Sequence, residues 1–65
     1  MYEYVDIEDV RSFQVFNHPN KEKYFKVEII YNNDNAIIYH LTNKECRHVI
    51  KAILRQWKNV AANRE

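Results

Sequence analysis

Tyr24-Phe25-Lys26-Val27-Glu28-Ile29-Ile30-Tyr31, then Asn32-Asn33-Asp34-Asn35, then Ala36-Ile37-Ile38-Tyr39-His40-Leu41 is the stretch that decides the fold. Residues 24–31 alternate, with Phe25, Val27, Ile29 and Tyr31 sharing one side, which is the period of a half-buried strand. The Asn-rich stretch that follows is a turn without glycine, because Asn and Asp tolerate the left-handed backbone that a Cβ otherwise disfavours. Residues 36–41 return antiparallel. Register then follows from one residue, His40. A two-residue loop at Asn33-Asp34 pairs Ile29 with Ile38 and Val27 with His40, which puts an imidazole in the apolar row. A three-residue loop at 32–34 pairs Ile29 with Ile37, Val27 with Tyr39 and Phe25 with Leu41, and that row is apolar throughout. A slip of one residue exchanges the two faces, so the three-residue loop is the expected one.

Moving outward toward the C-terminus, Thr42-Asn43-Lys44-Glu45 has the spacing of a capping box. The Thr42 hydroxyl can accept from the Glu45 amide, and the Glu45 carboxylate can accept from the Thr42 amide. Leu41 and Cys46 flank it as a candidate hydrophobic staple. Apolar residues then recur at Cys46, Val49, Ile50, Ile53, Leu54, Trp57, Val60 and Ala61. That helical period predicts a helix over about 43–61, with Trp57 in its core stripe. Toward the N-terminus, 11–16 (Arg-Ser-Phe-Gln-Val-Phe) reads as a strand and Asn17-His18-Pro19-Asn20 as its turn. Residues 2–7 are a further candidate edge strand. The expectation is one α+β domain spanning 1–65, an antiparallel β-meander of three to four strands with a single C-terminal amphipathic helix packed on one face.

The composition narrows what such a domain can do. The chain has 65 residues, no glycine, one proline, one cysteine and a net charge of +1. A chain of this size buries only about 60% of the surface that its unfolded form exposes. Gly-rich phosphate loops need backbone without a Cβ, so the dinucleotide fingerprint and the P-loop are excluded. One cysteine cannot form an internal disulfide, which removes the stapled secreted scaffolds. No apolar run reaches the roughly 20 residues of a membrane helix, and the acidic start is unlike a signal peptide. The expected location is the cytoplasm, with no membrane partner.

Charge is segregated. Residues 1–42 hold four Lys/Arg against seven Asp/Glu, whereas residues 43–65 hold six against two. On a helical wheel Lys44, Arg47, Lys51, Arg55 and Lys58 fall within an arc of about 80°, a candidate phosphate-binding face. The simpler reading is a solvated face that balances the acidic N-terminal segment. Ala52, Gln56 and Asn59 form a nearly uncharged strip beside the apolar stripe, which suits close helix self-contact. On the sheet, the side away from the helix would carry Tyr24, Lys26, Glu28, Ile30, Ala36, Ile38 and His40. Of these, Tyr24, Ile30, Ile38 and His40 make a partly apolar candidate partner-binding face. Tyrosines on an exposed sheet also suit stacking of single-stranded bases.

Catalytic machinery has little footing in this sequence. Cys46 lies on the apolar stripe and reads as a small buried hydrophobe. His48, two residues on, points elsewhere on a helix, so the two are no nucleophile–base pair. His40, Cys46 and His48 lack the ligand number and spacing of a zinc site, and no cofactor is implied. The leading expectation is a non-enzymatic interaction module, homodimeric, that binds or sequesters a macromolecular partner such as an unidentified protein, as an adaptor or a phage- or plasmid-type inhibitor does. The alternatives are a nucleic-acid binder using the basic helix face or the tyrosine-bearing sheet, and a small-ligand-binding dimer with an interfacial pocket.

Overall fold

A computed structural model of the chain describes residues 5–63. Three strands, β1 (Val10–Asn17), β2 (Tyr24–Tyr31) and β3 (Ala36–Thr42), are followed by one helix, α1 (Asn43–Asn63). The sheet is antiparallel in the order β1-β2-β3. This is the α+β meander with a C-terminal helix, in its three-stranded form. The extra edge strand expected at 2–7 begins outside the described residues, and residues 5–7 belong to no strand.

The β2–β3 hairpin has the register that keeps His40 out of the core. Phe25 pairs with Leu41, Val27 with Tyr39 and Ile29 with Ile37. The loop closes through Tyr31 N–H to the Asn35 carbonyl and Asp34 N–H to the Tyr31 carbonyl, both 2.9 Å. Asp34 supplies the left-handed residue of this loop type, at φ 70°. Asn33 Oδ1 accepts from the Asn35 amide at 3.0 Å, a local side-chain bond that holds the turn. β1 joins β2 with Asn17 opposite Phe25, Val15 opposite Val27 and Phe13 opposite Ile29, and a bulge between Val10 and Ser12.

β2 is the middle strand, so its inward residues are covered from both sides as well as by α1. Val27 and Ile29 are completely buried, as is Ile53 of α1, and Val49, Leu41 and Cys46 complete the centre. Each such aliphatic side chain contributes about 1.5–3 kcal/mol of transfer free energy. The helix starts where the capping box places it. Thr42 N–H donates to Glu45 Oε1 at 2.9 Å, and Glu45 N–H donates to Thr42 Oγ1 at 3.2 Å. These bonds hold the Glu45 carboxyl below its usual range, the Thr42 amide being the larger cause.

Residues 5–9 lie on the helix side of the sheet rather than across its outer face. Tyr31 donates its hydroxyl to the Asp6 carbonyl at 2.6 Å and shares a 3.1 Å hydroxyl–hydroxyl hydrogen bond with Tyr39. Burial and the Tyr39 bond push the Tyr31 hydroxyl far above its ordinary pKa. Asn32 N–H donates to the Asp9 carbonyl at 2.8 Å, and Asp9 itself turns at φ 58°. Val5 is buried by this arrangement.

One expectation about the helix is corrected. A helix of 21 residues is about 31 Å long, whereas an eight-residue strand spans about 26 Å. The helix outruns the sheet it packs on, and every described side chain from Lys58 to Ala62 is exposed. Trp57, expected in the core stripe, is 36% exposed, and Val60 is 43% exposed.

Candidate functional site

Two surfaces stand out, one at each side of the sheet. The first is the end of α1. Leu54, Trp57 and Val60 recur at three-residue spacing on one side of the helix and are 49%, 36% and 43% exposed. Trp57 is held in place at this edge: its indole N–H donates to the Val10 carbonyl at 2.8 Å, and its ring meets Phe13 at a centroid distance of 5.7 Å. Beside it runs an open cleft of about 560 Å³, bordered by Asp9, Val10, Gln56, Trp57, Val60 and Ala61. The helix strip expected to make a self-contact lies alongside. Ala52 and Gln56 are half buried and Asn59 is exposed.

The second surface is the outer face of the sheet. Strand alternation and the observed pairing put Tyr24, Lys26, Glu28, Ile30, Ala36, Ile38 and His40 on this face. Tyr24 and Ile38 are 36% and 47% exposed, His40 is exposed, and Ile30 is half buried. The structure brings to the same face residues that had no assigned place. Phe16, 47% exposed, pairs with Lys26, which in turn pairs with His40. His18 folds back so that its ring lies 5.1 Å from that of His40, and its Nδ1 accepts the Asn20 amide at 3.1 Å. The Lys21 ammonium sits 5.3 Å from the centre of the Tyr24 ring. Desolvation, and then the positive charge of His40, Lys21 and Lys26, hold His18 below its ordinary pKa. Phe16 and His18 could not be assigned to this face from sequence because the connection between β1 and β2 has no strict turn signature. Once Asn17 is set opposite Phe25, alternation alone gives the face of Phe16.

The basic helix face lies opposite the core stripe. Lys44, Arg47, Lys51, Arg55 and Lys58 are all exposed, and Lys44, Arg47, His48 and Lys51 border a shallow depression of about 200 Å³. Its one ring is the His48 imidazole, with no Phe, Tyr or Trp at its border. Cys46 is 5% exposed, and burial pushes its thiol up, the opposite of what a nucleophile needs. Among the described residues no three His, Cys, Asp or Glu side chains gather in a way that could hold a metal ion. No described helix is long and apolar enough to cross a membrane. No family model, curated protein or solved structure matches the chain.

Proposed function

We propose that the chain is a non-enzymatic interaction module that acts in the cytoplasm as a homodimer, with the Leu54/Trp57/Val60 ridge as its self-contact. The observation that carries this is the row of three large apolar side chains on α1 that stay 36–49% exposed, the last of them, Val60, on the part of the helix that outruns the sheet. A domain this small gains the rest of its core most readily by oligomerising. A two-fold contact uses the same patch twice, so an apolar ridge beside a cleft of mixed polar and apolar lining can serve both partners. Trp57, Val60 and Ala61 border that cleft, and the small Ala61 allows a second helix to approach closely. A standard interface takes about 800 Å² from each partner, roughly a seventh of the 5282 Å² of this surface. The free, buried Cys46 suits a reducing compartment.

Sedimentation equilibrium at micromolar protein tests the reading. The wild-type chain is expected to sediment as a dimer, and a Leu54→Asp, Val60→Asp double variant as a monomer with unchanged helical circular dichroism. Both side chains are substantially exposed, so the variant keeps its core. A wild-type chain that remains monomeric at high micromolar concentration refutes the proposal.

A further inference from the structure

We propose that the outer sheet face binds single-stranded nucleic acid at the end of the sheet where Phe16, Tyr24, His18 and His40 surround Lys26. This goes beyond the self-contact, since it uses the opposite side of the sheet and holds whether or not the chain pairs.

Three observations converge there. Aromatic faces are presented on a sheet: Phe16 and Tyr24 are 47% and 36% exposed, and Phe16, Lys26 and His40 occupy one row across β1, β2 and β3. Adjacent strands lie about 4.8 Å apart, so the outer two columns stand about 10 Å apart with a lysine between them. That spacing offers a stacking surface at each column and a cation between them for the linking phosphate. Charge is the second observation. Lys26 stands in the row between Phe16 and His40, and the Lys21 ammonium lies over the Tyr24 ring, so two ammonium groups are set among the rings even though the chain's net charge is only +1. The acids nearby are Glu22 in the turn and Glu28, which follows Lys26 by one alternation on the same face. Glu28 pairs with Gln14 and Ile38, and it bounds the patch on the side of the apolar Ile30/Ile38 surface.

The third observation selects the occupant. Stacking platforms on a flat sheet take unpaired bases, whose faces are free, whereas the bases of a duplex are already stacked on one another. The depression on the basic face of α1 is bordered by three cations and the His48 imidazole but by no Phe, Tyr or Trp ring, which is a poorer match to single strands. An acidic peptide would use the lysines and leave the rings without a partner.

Fluorescence anisotropy with a labelled oligothymidine of about 16 nucleotides, at about 50 mM salt and above, tests this. The full chain is expected to bind the oligothymidine more tightly than a duplex of the same length. Phe16→Ala is expected to weaken it at least about fivefold, while Phe16→Tyr, which retains a ring, keeps it. Phe16 is exposed, and circular dichroism of both variants confirms that the fold is intact. Lys26→Ala is expected to lower the log–log salt slope by about 0.7, the value for one phosphate of a single strand. The proposal is overturned by no binding at about 50 mM salt, by equal binding of polyglutamate, or by affinity that survives Phe16→Ala but is lost in Lys51→Glu, Arg55→Glu.

Discussion

Replacing Trp57 by phenylalanine separates an edge residue from a core residue. The indole N–H donates to the Val10 carbonyl at 2.8 Å, while the ring packs against Phe13 at 5.7 Å. Phenylalanine keeps an aromatic partner for Phe13 and loses the donor. A net hydrogen bond is worth about 0.5–1.5 kcal/mol. Val10 is 6% exposed, which would add a penalty for a stranded carbonyl if water were excluded. The open cleft bordered by Val10 and Trp57 lets water replace the indole, so that penalty is small. The smaller ring removes a little buried apolar surface, at about 25 cal/mol per Å². Together these give about 1–1.5 kcal/mol. For a domain of this size each kcal/mol shifts Tm by about 4–8 °C, so a thermal melt by circular dichroism should fall by about 5–10 °C. Because Trp57 also lies on the proposed self-contact, the melt is run at two protein concentrations. The hydrogen-bond part is the same at both, whereas a dimer part grows with concentration. A shift below about 2 °C means the Val10 bond contributes nothing. A loss above about 3 kcal/mol is the size of a buried aromatic truncation, and would return Trp57 to the core and refute the overhang.

Three further substitutions probe what fixes the helix start and residues 5–9. Thr42→Ala removes the hydroxyl that accepts the Glu45 amide and should cost about 0.5–2 kcal/mol in a denaturant melt. The partner Glu45 has its folded-state pKa below the usual 4.5, so its contribution is complete above about pH 4.5 and fades as pH falls through the lowered value. The stability gap between wild type and Glu45→Gln should therefore close only on the acid side, and a gap that closes toward neutral pH contradicts the capping box. Tyr31→Phe removes the donor to the Asp6 carbonyl and should cost about 1–2 kcal/mol. It should also speed amide exchange or proteolysis at 5–9 ahead of global unfolding, and unchanged exchange there would show that Tyr31 does not anchor the segment.

Sequence reasoning succeeded where a local choice had only one chemically acceptable outcome. The hairpin register follows from keeping the His40 imidazole out of an apolar row, and the observed pairing of Val27 with Tyr39 is that register. The helix start follows because Thr42 and Glu45 can satisfy each other's amides, as they do. It failed where the outcome depends on lengths between elements. A helical wheel ranks Trp57 and Val60 with Ile53, but it does not record that the sheet ends before the helix does, so Ile53 is fully buried and Val60 is 43% exposed. Phe16 and His18 were equally opaque. Their face depends on how the six residues between β1 and β2 set the register, and Asn17-His18-Pro19-Asn20 marks a turn there without fixing the loop length as Asn33 and Asp34 do in the other turn.

The same distinction between local and summed properties bears on nucleic acid. A net charge of +1 argues against nonspecific gathering of polyanions, because that depends on potential added over the whole surface. It says little about a short single strand, which meets only the potential within about a Debye length, 8–10 Å, of its phosphates. Over that distance the strand on the outer face meets Lys21, Lys26 and two imidazoles, with Glu22 and Glu28 as the acids of the turn and the face. The two cationic zones differ in kind as well as in charge. On α1 the cations are spread along an exposed helix side, where water screens each of them. On the sheet they alternate with rings, Lys26 standing between Phe16 and His40 and Lys21 lying over the Tyr24 ring. Partial desolvation by stacked rings strengthens each phosphate contact, so the zone with fewer cations is the one suited to hold a strand.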